Sequence, residues 1–189
     1  MPNDNPLGDR GRAIEDDYFR KRDRELLDKM RRASAAADTQ RELSARTGLL
    51  DPEMLQELQA LGFTPETVAL LPLVPLVQMA WAEGGVSDAE RKLIVQIART
   101  RGIDEGGAAD RQLAAWLSSA PDPSVFTRAF RLIQAMLDAP GPGADLSADD
   151  LVKYCETIAA ASGGLLGINK VSAEERALLS TLARDLKAR

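Results

Sequence analysis

From residue 51 onward, apolar residues recur at intervals of three and four within short segments closed by Gly or Pro. That is the period of a helix burying one face. Asp51-Pro52 reads as an N-cap followed by Pro at the first helical position, and Gly62 as the stop. Thr64-Pro65 predicts a second start of the same kind. The helix that follows must kink or break at Pro72 and Pro75, because Pro lacks an N–H and its ring meets the carbonyl of the preceding turn. It ends at Gly84-Gly85. Ser87 opens another helix, which stops at Gly102. Further helices fit 106–118, 123–138 and 147–162. The loop "APGPGADL" precedes the last of these, and a final helix starts at Ser172. "ADLSADD", 144–150, has acids without the spacing or glycine of an EF-hand, so it reads as a helix start capped by Ser147. No segment alternates β-branched and polar residues between turn signals. The prediction is an all-α body, 49–189, of about seven helices.

The N-terminal part is patterned differently. Residues 1–12 carry two prolines, two glycines and no apolar period, and are expected to be disordered. Residues 13–33 read as one long charged helix with acid-then-base pairs at Asp16/Arg20, Asp17/Lys21, Glu25/Lys29 and Asp28/Arg32. Each such pair stabilises a helix by about 0.3–0.5 kcal/mol, so no core is needed to form it. Ile14, Tyr18, Phe19, Leu26, Leu27 and Met30 make a narrow stripe interrupted by Arg22 and Asp23. Such a stripe suits a partner or one limited docking surface. Residues 34–48 either continue this helix or link it to the body, giving an arm over 13–48.

Composition sharpens the picture. Aromatics are 4% of 189 residues, so the core must be aliphatic. The net charge is −5, divided as +1 over residues 1–48 and −6 over the rest, which argues against a nucleic-acid partner. The chain has no histidine, which removes His-based nucleophile pairs, His-ligated zinc and the usual switch near neutrality. The single cysteine, Cys155, sits in a helical pattern and is expected to be a buried small hydrophobe. No Walker, G-x-G-x-x-G or C-x-x-C motif is present; "GGLLGINK", 163–170, lacks the required spacing. The start is not a signal peptide, and the apolar run Val68–Ala82 is short for a bilayer and carries Pro72, Pro75 and Gln78. A cytoplasmic, non-enzymatic protein without a transmembrane segment is expected.

Val86–Arg99 and Val171–Arg184 are identical at seven of fourteen positions, 85 residues apart. This predicts a pseudo-repeat of helices packed about a shared axis. Ser87…Glu90 and Ser172…Glu175 both match the capping box, in which hydroxyl and carboxylate each satisfy the other residue's N–H. Glu83 is not copied, since Ser162 stands in its place. With Asp88 and Glu90 it gives three carboxylates around one helix–Gly-Gly–helix corner, a candidate oxygen-ligand set for a divalent cation, the only cofactor expected if any.

"LVQMAWAEGGVSDAERKLIVQIARTRGI" resembles the TerB-like, tellurite-resistance-type helical domain, and the resemblance covers roughly Leu70–Ile103. That family's signature is A-x-A-D-G-x-(V/I)-S-x-x-E followed by an amphipathic helix. Residues 159–184 echo it more loosely. The resemblance implies a compact bundle of about seven helices, acidic corners proposed to bind metal, and association with stress response and assemblies near the membrane. It implies no established catalysis. The family's acidic position falls on Glu83 and its later glutamate on Glu90, with Glu175 in the second copy. This chain departs from it in having Glu at 83 and no acid at the second corner. The stretch "EDDYFRKRDRELLDKMRR" is similar to the charged helix of the ATP synthase inhibitor protein family, matching at Glu15, Tyr18, Phe19, Arg20, Arg22, Glu25 and Leu27. Three functions follow as expectations. The first is a helical adaptor whose arm engages a protein partner through Tyr18, Phe19, Arg20, Arg22 and Leu26. The second is a cation sensor at Glu83, Asp88 and Glu90, and the third a regulator of a rotary ATPase. Peripheral association with a membrane stays open.

Overall fold

The computed structural model describes residues 6–139, 147–162 and 171–187, with side chains over 18–139, 147–161 and 171–186. Among these residues there are eight α-helices, one 3-10 helix and no strand. The α-helices are α1 (Pro6–Thr47), α2 (Pro52–Ala60), α3 (Val74–Ala80), α4 (Asp88–Thr100), α5 (Ala108–Ser118), α6 (Pro123–Asp138), α7 (Ala148–Ser162) and α8 (Ala173–Lys187). The 3-10 helix is Val68–Leu73. The chain divides into two compact units, Met1–Thr39 and Gln40–Arg189.

The first unit is the greater part of α1. The helix begins at Pro6, so residues 6–12, expected to be disordered, lie within it. Pro at the first helical position loses no hydrogen bond there, which makes it a good start. The soft stretch 34–47 continues the same helix, consistent with its alanines, the best helix formers. Of the charge pairs expected here, Asp28 meets Arg31 at 3.7 Å, one residue short of Arg32.

The second unit opens with the last turns of α1, so its boundary falls before residue 48. Leu43 and Thr47 are buried. The Thr47 hydroxyl donates to the Leu43 carbonyl at 2.8 Å and accepts from the Leu49 N–H at 3.2 Å. Gly48, at φ 77°, ends the helix in the left-handed region that glycine adopts without strain.

Helices α2, α4, α7 and α8 start at the caps the sequence predicts, while α6 starts at 123 as expected and is capped by Asp122, and α5 starts at Ala108 without a side-chain cap. Asp51 accepts from the Glu53 N–H and Asp122 from the Ser124 N–H, both at 2.8 Å. Ser147 accepts from the Asp150 N–H at 3.1 Å, and Asp150 accepts from the Ser147 N–H at 3.1 Å. The Ser147 hydroxyl, donating to Asp150 at 2.7 Å, and then the Ser147 N–H hold the Asp150 carboxyl below its ordinary range. The exception is Thr64-Pro65, which forms a turn and not a helix start. There Thr67 Oγ1 accepts from the Thr64 N–H at 2.9 Å. Pro72 and Pro75 explain the shift: their rings exclude an α-helix from reaching the carbonyls of Val68 and Leu71, so the chain runs as 3-10 until Pro75 becomes an acceptable first-turn residue of α3.

Every residue of α3 is buried except the half-buried Gln78. A helix apolar on all sides belongs in the middle, and α3 packs on the 3-10 helix, α4, α6, α7 and α8. The core is aliphatic, with Leu70, Leu71, Leu76, Ile94, Leu113, Leu132, Ile133 and Ile158 fully buried. Phe63 adds an edge-to-face contact with Trp116 at 5.9 Å between ring centres.

Candidate functional site

The two copies of S-x-x-E fold as the sequence predicts and then do something that spacing along the chain does not announce. At the first corner, Glu90 Oε2 accepts from the Ser87 N–H at 2.8 Å, and Ser87 Oγ accepts from the Glu90 N–H at 3.3 Å. At the second, the corresponding distances from Ser172 and Glu175 are 2.7 and 3.1 Å. Both glutamates are nearly sealed from water, with relative exposures of 3% for Glu90 and 0% for Glu175. They are also close enough to feel one another. Burial pushes the Glu90 carboxyl above its ordinary value, the two Ser87 hydrogen bonds oppose this, and the negative charges of Glu175 and Glu83 raise it further. Helices α4 and α8 both pack on α3 and α7, which puts Glu175 within electrostatic reach of Glu90.

The surroundings fix this corner. Gly84, at φ 84°, lets the chain turn after α3, with its N–H donating to the Trp81 carbonyl at 2.9 Å. Trp81 Nε1 donates to the Trp116 carbonyl at 2.8 Å, and Arg91 donates to the Leu117 carbonyl at 2.6 Å. Both bonds satisfy carbonyls in the last turn of α5, which would otherwise lack intrahelical donors.

The expected cation site does not assemble. Among the described residues, no three of His, Cys, Asp and Glu are grouped so as to hold a metal ion. Glu83 and Asp88 are exposed, whereas Glu90 turns inward onto Ser87. A carboxylate that accepts the cap N–H is already committed, and capping is what this sequence pattern encodes. The residue that sequence reading did not place within electrostatic reach of Glu90 is Glu175. The only signal available was the repeat itself, since pseudo-symmetric packing brings equivalent helix starts together.

Glu90 has a measurable consequence. A folded-state pKa above the unfolded one means that the native state holds the proton more tightly. The contribution to stability is then full below the unfolded value and lost as pH rises through the folded value. Glu90→Gln keeps the box, because Gln also fills it, and removes the buried charge. The variant is expected to melt above the parent at pH 7, with the gap closing as pH falls toward the ordinary glutamate value of 4.5. Paired thermal melts from pH 7 to 4 check this, and a gap that does not change with pH would contradict it.

Elsewhere the candidate chemistry is quiet. Cys155 is fully buried, and burial, with the Glu156 charge adding to it, pushes its thiol up to about 12. It is a packing residue at neutral pH.

The arm residues sit in the other unit. Tyr18 and Phe19 are 57% and 60% exposed, and Leu26, Leu27 and Met30 are 57%, 51% and 60% exposed. Arg20 and Arg22 are exposed beside them. Tyr18 and Phe19 meet edge to face at 5.9 Å, and Arg24 donates to the Arg20 carbonyl at 3.3 Å. No described helix is long and apolar enough to cross a membrane. Comparison of the chain with family models, with curated proteins and with solved structures finds no significant match.

Proposed function

We propose that the protein is a non-catalytic helical adaptor, a TerB-like body carrying a helical arm that engages a protein partner. One observation carries this reading. Five large apolar side chains, Tyr18, Phe19, Leu26, Leu27 and Met30, are all more than half exposed on one helix. Scattered single apolar residues on a surface need no explanation, but a clustered set marks an interaction site. Arg20 and Arg22 flank the aromatic pair, and aromatic residues with Arg are the types enriched where binding energy concentrates. The TerB-like assignment is supported by the all-α body, the turn at Gly84 and the paired capping boxes.

The test is retention of partners on immobilised full-length protein, compared with the variant Phe19→Glu/Leu26→Glu. Both positions are exposed, so the variant is expected to keep its melting temperature within about 1–2 °C, surface changes being worth within about 0.5 kcal/mol. It is expected to lose at least tenfold of any protein the parent retains. Equal retention by both proteins would remove the arm from the function.

A further inference from the structure

We infer that the body binds a small amphipathic carboxylate in the cavity between the end of α1, the 3-10 helix, the end of α4 and α6. The cavity measures about 300 Å³ and is lined by Arg46, Thr47, Val68, Ala69, Pro72, Arg101 and Met136 among others. That volume is at the lower end of the usual range for small-molecule sites, roughly 300–1,000 Å³.

The argument begins with the arginines. Most described arginines of the body are held by an acceptor. Arg91 bonds the Leu117 carbonyl, Arg99 bonds Asp110 and the Ile103 carbonyl, and Arg128 bonds Glu57. Arg111, Arg176 and Arg184 bond Gly106, Ser172 and Asp185. Arg46, Arg101 and Arg131 differ: among the described residues none of these guanidiniums has a hydrogen-bond or ion-pair partner. Of the three, Arg46 and Arg101 line this one cavity.

A helix-end role does not account for them. Arg46 lies in the last turn of α1 and Arg101 at the C-cap of α4, where a cation favours the macrodipole. A capping arginine bonds the orphan carbonyls of its own helix end, and among the described residues neither guanidinium does so. The nearest acids are committed as well. Glu66 feels the charge of Arg46, but it accepts from the Thr64 hydroxyl at 2.6 Å. Asp150 feels Arg101, but it is bound to Ser147. The guanidinium forks therefore keep their donors for a carboxylate, the group they match best.

The remaining lining is apolar. Val68, Pro72 and Met136 are buried residues presenting hydrocarbon or thioether. The one hydroxyl, on Thr47, is used internally by Leu43 and Leu49. Two cations over a floor whose side chains offer no free hydrogen-bonding group suit an anionic head joined to a short hydrocarbon body. Burying that body against the floor adds the hydrophobic contribution of about 25 cal/mol per Å² that a bare anion lacks. This inference is independent of the arm.

Octanoate is the probe, titrated calorimetrically into the full-length protein. One saturable site is expected. Acetate, which lacks the tail, and octanol, which lacks the charge, are each expected to bind at least tenfold more weakly. Arg46→Gln/Arg101→Gln is expected to weaken octanoate at least tenfold. Ala69→Glu is expected to do the same: this cavity residue is exposed, so the change plants an acid in the site without disturbing the core. No binding by the parent, equal affinity for octanol, or unchanged affinity in both variants would overturn the assignment.

Discussion

Replacing Glu175 by alanine is expected to cost about 2–4 kcal/mol, the sum of a lost helix cap and a half-buried donor left without its acceptor. For a chain of this size that lowers the melting temperature by roughly 10 °C. The size of the effect follows from three properties of one side chain. Glu175 is fully buried, it accepts from the Ser172 N–H at 2.7 Å, and its own N–H is bonded to Ser172 Oγ at 3.1 Å. Alanine deletes the carboxylate and leaves a void in its place. Glu175→Gln keeps both the volume and an acceptor oxygen, so it is expected to stay within about 1 kcal/mol of the parent. Glu90→Ala removes the matching group from the first copy but also relieves burial of a second negative charge, so its loss is expected to be the smaller of the two. Thermal and urea denaturation of the three variants separates these contributions. A Glu175→Ala protein within about 0.5 kcal/mol of the parent would show that the second box does not hold α8 in place.

The repeat shows how far sequence patterns carry. Capping is local chemistry: Ser, Glu and the residues between them settle it, so Ser87–Glu90 and Ser172–Glu175 were legible before any packing was known. The start of α7, and the stops at Gly62 and Gly102, were legible for the same reason. What failed did so where non-neighbouring residues decide. Thr64-Pro65 looked like another helix start, but Pro72 and Pro75 further on exclude the helix it would begin. The arm was split into disordered, helical and soft parts because periodicity fades at both of its ends. The helix needs only continuity there, and α1 runs from Pro6 to Thr47. Glu83, Asp88 and Glu90 are near in sequence, which made them look like one ligand set. The position of Glu90 relative to Glu175 depends on how α4 and α8 each pack on α3 and α7, and no spacing within either helix contains that. The cavity at Arg46 and Arg101 was invisible for the same reason, because its walls come from four separate elements.

Leu76→Ala is expected to be the most damaging aliphatic truncation, costing about 3–5 kcal/mol, the upper part of the range for buried Leu→Ala changes. The reason lies in where α3 sits. Its seven residues touch five other elements that are each pinned elsewhere, and Leu76 is fully buried within this helix's surroundings. Surroundings fixed in that way collapse little into a void, and the cost of a truncation rises with the volume left unfilled. Leu50 provides the control. It has the same side chain at 82% exposure, and its replacement is expected to change stability by less than about 0.5 kcal/mol. Urea denaturation of both variants gives the comparison directly. A Leu76→Ala loss under about 2 kcal/mol would mean that the helices around α3 close onto the gap. The body would then be held together by the contacts of α7 with α4 and α8 more than by the helix at its centre.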